Sequence, residues 1–496
     1  MRTIVWYRGK DLRVADHAPL VEAARGGEVI PLFVLDPYFF APERAQKLPN
    51  RMQFLLASLR SLEGNLAAKG SRLLVVAGKS TEVVPRLARA LRADRVVAHR
   101  WVEPFGRERD ARVKAALDGK LELVEGETLL PPGTLRTGAG NPYAVFSQFA
   151  RAFEKSANIE APLAAPKSLP PLPGDAAALD AVGIPTMADL GLTENPHLLP
   201  GGERAAHERL ARFIERAATR YADDRNRMDV DGTSRLSADL KFGTLSPRQV
   251  WHRVTRDAKE PRSQKAFLNE LIWREFSHST LWDRPELLRE PFQARWRGFP
   301  WREDDAGWRA WVEGKTGYPV VDAAARQLLG EGFVHNRARM VAASFLTKHL
   351  LIDFRRGEAH YMAHLTDGDW AQNDAGWQWS AGCGCDAQPY FRIFNPVSQG
   401  ETFDPEGDYV RRWVPELARM PAKFIHEPWA APPEVLQAAG VRLGSTYPRP
   451  VIDHKLARER FLTVAKSHLG AATGAAPASV DDGEKPTRVP GVVTRR

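Results

Sequence analysis

Residues 367–395 read DGDWAQNDAGWQWSAGCGCDAQPYFRIFN. In a helix over residues 367–377, Asp369, Asn373 and Trp377 recur every four residues and share one face. A carboxylate, an amide and an indole make a poor apolar stripe. Such a face is either the polar edge of an ordinary core helix or one wall of a site, and spacing alone leaves both readings open.

Upstream, HNRARMVAASFL (residues 335–346) places Asn336, Met340 and Ala343 on one helical face, where a methionine is by default core filler. Further upstream, FLNELIWREFSHS (residues 267–279) sets Phe267, Glu270, Arg274 and Ser277 along one side with Trp273 beside them, and Leu268, Leu271 and Ile272 on the apolar side. Before that, DGTSRLS (residues 231–237) joins a turn with small hydroxyls to a helical stretch. Free N–H groups and hydroxyls at a helix start can cradle a phosphate, and equally they can simply cap the helix.

The first 130 residues have another character. Residues 3–7, 29–35, 72–77 and 95–98 are short apolar runs, and residues 52–67 and 81–91 between them carry helical periodicity. Continuous apolar strands alternating with helices predict a doubly wound parallel sheet covered on both faces. Gly78-Lys79-Ser80 follows a strand as in a P-loop, but Leu73 stands where the earlier glycine is required, which excludes that nucleotide site. From 131 to 202 prolines punctuate a long surface connection with one helical insert at residues 143–155. Helical periodicity dominates from 203 to 468, and residues 469–496, poor in aromatics, read as a disordered tail. The fold class is therefore α/β plus all-α: domains at 1–130 and 203–468, joined by the 131–202 linker.

The chain has 496 residues and a formal net charge of +9, which points towards a polyanion, nucleic acid first. Of its 14 tryptophans, 12 lie at or after Trp251, a density that suits core packing, a flavin pocket or a base-stacking surface. No apolar run reaches membrane-span length, and the N-terminus lacks the apolar region of a signal peptide. Cys383 and Cys385, spaced C-x-C, fit neither a C-x-x-C redox motif nor an ordinary zinc site. They read as reduced thiols of a cytoplasmic protein with no bound metal.

Taken together, in order and over residues 3–465, these strings closely resemble the photolyase/cryptochrome family, and within it the bacterial class I cyclobutane pyrimidine dimer photolyases. The resemblance implies an N-terminal antenna domain, a helical FAD-binding domain, and light-driven repair of DNA containing pyrimidine dimers by a monomer. Excited reduced FAD would pass an electron to a flipped-out dimer; photolyases are among the standard examples of base flipping. The family pattern assigns Tyr221, Thr233, Ser234, Arg235, Leu236, Ser237, Phe267, Asp367, Gly368 and Asp369 to FAD. Arg339 would pair with a flavin-side aspartate at Asp367, and Asn336 would reach both flavin and DNA. Asn373 would face the flavin N5, where repair enzymes use asparagine, plant cryptochromes aspartate and animal ones cysteine. Glu270 would bond the lesion and also touch the cofactor, Met340 would touch the dimer, and Trp273 and Trp379 would stack on it. Arg225, Arg274, Arg337, Arg392 and Gln399 would meet DNA.

Two departures stand out. Photoreduction in the family runs along three tryptophans; Trp377 matches the first and Trp301 the last, but the middle position is Phe354, which is too hard to oxidise. Trp370 is a candidate detour. Residues 101–107, WVEPFGR, lack the Asn-Glu pair of folate-type relatives and look more like a deazaflavin- or flavin-type loop; of a deazaflavin and a folate, the antenna chromophore is expected to be a deazaflavin first, or the site to be empty. Phe354 and the tail lend some support to a rival reading, a cryptochrome photoreceptor, which Asn373, Met340, Glu270, Trp273 and Trp379 oppose. A flavoprotein that binds DNA without catalysis is the third.

Overall fold

The computed structural model describes residues 1–177, 179, 181–385 and 393–473, the last three by backbone alone. Arg392 and most of the expected tail lie outside the described residues.

Five strands, β1 (Arg2–Tyr7), β2 (Glu28–Leu35), β3 (Leu74–Ala77), β4 (Arg95–His99) and β5 (Leu121–Val124), form one sheet in the order β3-β2-β1-β4-β5. Every pairing is parallel. Successive side chains point to opposite faces. Val5 and Tyr7 therefore join one core, with Phe54, Leu59 and Leu62 of helix Pro49–Ala67. Ile4 and Trp6 join the other, with Val83, Val84 and Leu87 of helix Ser80–Ala90. The sheet is thus covered on both faces, as the apolar runs require. β5 escapes a search for such runs because its LELV alternates and its last two residues are half-buried. At the P-loop look-alike, the amide of Ser80 donates to Asp36 Oδ2 at 2.7 Å, so a carboxylate occupies that helix start.

The chain packs as two compact units. The first comprises Met1–Arg225, Gly232–Glu286 and Tyr361–Gln372; the second comprises Asn226–Asp231, Leu287–His360 and the described part of Asn373–Arg496. The division at 130, 202 and 468 follows element type rather than packing, and we retain it as a proposal. Part of the 131–202 connection is core rather than surface, since Leu169, Met187 and Leu190 are buried in the sheet's first cluster.

In the first unit the longest helix is Pro261–Asp283, started by proline in its first turn and by Glu260, whose side chain accepts from the amides of Arg262 and Ser263. In the second, helix Pro319–Glu331 packs on Asn336–Ser344 and Asp408–Trp413. Helix Asn336–Ser344 runs on into a π turn, Phe345–His349. Among the described residues, no helix is long and apolar enough to cross a membrane.

Candidate active site

In the first unit the Pro261–Asp283 helix carries most of the expected residues. Phe267 is buried and meets Tyr221 edge-on with ring centroids 5.2 Å apart. One turn later Glu270 forms an ion pair with Arg225. The Glu270 side chain remains 39% exposed, and partial burial raises its carboxyl pKa against the opposing pull of Arg225. Trp273, half-buried, has one face stacked on Phe146 at 3.5 Å and 6° between planes. Arg274 is buried, and its Nη1 donates to the Glu127 carbonyl at 2.8 Å.

The 231–237 loop precedes the short helix Ser237–Phe242. Thr233, Ser234 and Arg235 are half-buried, Leu236 buried and Ser237 exposed. Arg235 takes a left-handed φ of 51°, and the amide of Leu236 donates to Ser234 Oγ at 3.4 Å. A Cβ on Gly232 would lie 2.8 Å from that of Asp224, so only glycine lets the two segments pass so closely.

Asp367, Gly368 and Asp369 are all buried and precede the helix Trp370–Ala381, which begins later than its periodicity suggests. Asp369 caps it instead of riding on its face: Oδ1 accepts from the amide of Gln372 at 3.1 Å. Its other oxygen meets Lys10 Nζ at 3.1 Å, and the same ammonium binds Glu127 at 2.5 Å and Glu103 at 2.9 Å. Lys10 holds Asp369 and Glu127 well below the usual carboxylate range despite their burial. Arg51 reaches the Gly368 carbonyl at 3.4 Å.

In the second unit Asn373 is buried, and its Nδ2 donates to the Glu358 carbonyl at 3.2 Å. That bond fixes the amide's orientation and turns Oδ1 into the remaining acceptor. Beside it, burial and mutual repulsion push the carboxyl of Glu358 up to about 8, and burial raises that of Asp374 to about 7. Asn336 is exposed, with Nδ2 3.7 Å from Met340 Sδ. Arg337 donates to Asn226 at 2.9 Å, lies 3.5 Å from Gln399 Oε1 and stands over the Phe403 ring at 4.3 Å. Arg339 Nε donates to the Val334 carbonyl at 2.7 Å. Trp379 is half-buried. Trp377 is buried and meets Trp311 at 6.0 Å, whereas Trp301 meets Phe354 at 6.4 Å.

The structure thus brings together Tyr221 with Phe267, Arg225 with Glu270, and Arg337 with Gln399. Sequence reasoning missed Lys10, Glu127, Glu358, Phe146 and Trp311. Lys10 and Asp369 are 359 residues apart, and no periodicity links them. Trp308 and Trp311 did carry a signal, two indoles at helical i, i+3 spacing.

Residues 3–169 match the family model described as DNA photolyase, and residues 267–467 match the FAD binding domain of DNA photolyase. A deoxyribodipyrimidine photo-lyase of Agrobacterium fabrum is 41% identical over 92% of this chain and 96% of its own. Among solved structures, a bacterial class III photolyase from Agrobacterium tumefaciens superposes with a TM-score of 0.86 at 39% identity, covering 94% of this chain and 97% of that one. A cryptochrome from Synechocystis sp. PCC6803 reaches the same TM-score at 31% identity, covering 93% and 99%. The chain belongs to the DNA photolyase family and carries that family's FAD-binding domain.

Proposed function

We propose that this chain is a deoxyribodipyrimidine photo-lyase, which uses blue light and reduced FAD to split cyclobutane pyrimidine dimers in DNA. When bound, FAD supplies the electron that opens the cyclobutane ring. The observation that carries the reading is Asn373, a buried amide whose Nδ2 is committed to the Glu358 carbonyl, leaving Oδ1 to accept a bond. An acceptor there suits a flavin whose N5 carries a proton, the reduced form that repair needs.

The other assignments follow in the same reading. Thr233, Ser234 and Ser237 present hydroxyls to the FAD diphosphate, with Tyr221 and Phe267 as an aromatic wall beside them. Trp273 offers the face that Phe146 leaves open to a base of the dimer. Glu270, whose carboxyl pKa burial raises against the pull of its partner Arg225, is the acid that would face charge developing on a lesion carbonyl. Arg337 and Gln399 contribute polar contacts to DNA. Arg274 stays in the DNA-binding set of this reading, with Nη1 bonded to the Glu127 carbonyl.

An antenna chromophore has a place as well. Within the first unit a pocket is lined by Trp6, Phe39, Trp101, Phe105 and Arg109 among others. Its aromatic walls suit one face of a planar pigment, and its lining takes in part of the 101–107 segment, which lacks the folate-type pair. We keep deazaflavin as the first candidate, cytoplasm as the compartment and a monomer as the state.

The photoreceptor reading shares the fold, so shape does not separate the two. Loss of dimers from irradiated DNA under blue light, with flavin kept reduced, does. Repair in light and none in the dark is the expected result; binding of dimer DNA with no loss of dimers would overturn it.

A further inference from the structure

The second unit contains a line of indoles that does not pass through Phe354. Buried Trp377 meets Trp311 edge-on, with centroids 6.0 Å apart at 70°. Trp311 is buried and lies near-parallel to Trp308 at 5.5 Å and 24°. Trp308 and Trp311 share one face of helix Asp305–Val312, and Trp308 is only half-buried. We propose that Trp377, Trp311 and Trp308 form the electron route between surface and flavin in this chain, in place of the one interrupted at Phe354. The proposal rests on Trp377 serving as the flavin-proximal tryptophan, as in the reading above.

The protonation chemistry of the three rings gives the route a direction. An oxidised indole is a strong acid and loses its ring proton wherever a base can take it, which traps the hole. Trp311 Nε1 is tied to the Ala342 carbonyl at 3.0 Å, inside the core. An amide carbonyl is too weak a base to remove that proton, so a hole on Trp311 stays mobile. Trp308 reaches water, which is where a proton can leave. The Arg356 guanidinium lies over its ring at 4.6 Å, paired at 3.4 Å with Asp305 and 3.5 Å with Glu303. That cation disfavours a positive indole and so favours the deprotonated radical, while the two carboxylates limit the penalty on the hole's arrival.

With oxidised flavin bound and excited by light, Trp377 would give up one electron to it. Trp311 refills Trp377, and Trp308 refills Trp311. The Trp308 radical cation releases its Nε1 proton to water, leaving a neutral radical. A thiol reductant in solution then returns one electron and one proton, becoming a thiyl radical. The competing line ends at Trp301, whose inner neighbour is the Phe354 ring at 6.4 Å. A phenyl ring lies too high in oxidation potential to take part.

The test is flash photolysis of the full FAD-loaded chain with the flavin oxidised, followed at the tryptophanyl absorption and by time-resolved electron spin resonance. The wild type should give a long-lived neutral tryptophanyl radical. Trp308→Phe should lose it, the charge recombining instead, and adding Phe354→Trp to that variant should restore it by reopening the other line. Under prolonged light without thiol, peptide mapping of the wild type should find oxidation concentrated on Trp308. Because Trp308 is half-buried, its replacement by Phe tests the route even if Trp311→Phe fails to fold. A Trp308→Phe protein that keeps the radical at wild-type yield overturns the proposal, as does a wild type that forms none. Dimer repair with chemically pre-reduced flavin is scored separately, so failure of the repair reading and failure of this route give different results.

Discussion

Asp369 and Asp374 stand five residues apart in sequence, both buried, in different compact units, and burial has opposite outcomes for them. Asp369 touches Lys10 and is held ionised, far below the ordinary carboxylate range. Asp374 has an amide for its partner, Gln378 at 3.0 Å, and its carboxyl is pushed up to about 7. Its neighbour Glu358 rises to about 8, and the guanidinium that could oppose this, Arg355, is committed to Asp353 at 2.5 Å. The contrast teaches that depth alone does not decide a buried acid's charge. Here the Lys10 ammonium holds Asp369 as an anion, while Asp374, with an amide for its partner, is pushed towards keeping its proton.

The largest effect should come from removing the cation. Lys10→Met leaves Glu103, Glu127 and Asp369 without their shared ammonium. Breaking a buried ion pair by taking one partner costs about 3–5 kcal/mol. Urea denaturation should register a loss of that order, with flavin retention falling alongside. A cost below about 1 kcal/mol, the range of exposed pairs, would mean that the network is hydrated and the comparison false on its ionised side.

The protonated side is tested by pH. Glu358 has a folded pKa of about 8 against an ordinary 4.5. A carboxyl raised on folding contributes its stability fully below the unfolded value and loses it as pH climbs through the folded one. Wild-type stability should therefore fall between pH 4.5 and about 8, by on the order of 2–3 kcal/mol at 1.36 kcal/mol per unit after discounting. Glu358→Gln should remove the Glu358 share of that slope and leave the share that Asp374 contributes up to about pH 7. Parallel profiles for the two proteins would place the proton elsewhere.

The same contrast explains what could be read in the sequence. The sheet was legible because β1 to β4 are short apolar runs, a local signal; β5 was not, because LELV alternates. Helix positions of Phe267, Glu270 and Trp273 were legible from periodicity. Asp369 was misread as a helix-face residue because capping depends on where the helix starts, which its polar neighbours do not mark. Lys10 was invisible as a partner of Asp369, and Phe146 as a partner of Trp273, since such pairs arise only when distant segments meet. The bond from Arg274 to the Glu127 carbonyl was invisible for the same reason, since the two residues lie 147 positions apart.

A smaller effect is expected at Trp273, where affinity rather than stability is at stake. Trp273→Ala removes the surface that Phe146 backs, and should reduce the preference for dimer-containing over intact DNA by about 1–3 kcal/mol, the range for one base–aromatic stack. Competition binding at fixed salt measures it, because the phosphate contribution cancels between the two DNAs. An unchanged preference would remove Trp273 from the lesion pocket.

Glu270 completes the comparison as an acid between the two extremes. It has a cation, as Asp369 does, but its side chain is 39% exposed, and partial burial pushes its carboxyl pKa up rather than down. An exposed pair with Arg225 contributes little to folding, so Glu270→Gln should change stability by less than about 1 kcal/mol. Repair is another matter. If the protonated acid donates to the lesion, glutamine keeps a donor but a weaker one, and the quantum yield of dimer loss should drop while binding of dimer DNA holds. The pH profile of repair separates this from a structural role. In the wild type, repair should decline as pH rises through the elevated pKa of Glu270, and in Glu270→Gln that limb should disappear. A wild-type limb that persists in the variant assigns the titration to another group, and a variant that loses stability by several kcal/mol would show that Glu270 belongs with the buried acids after all.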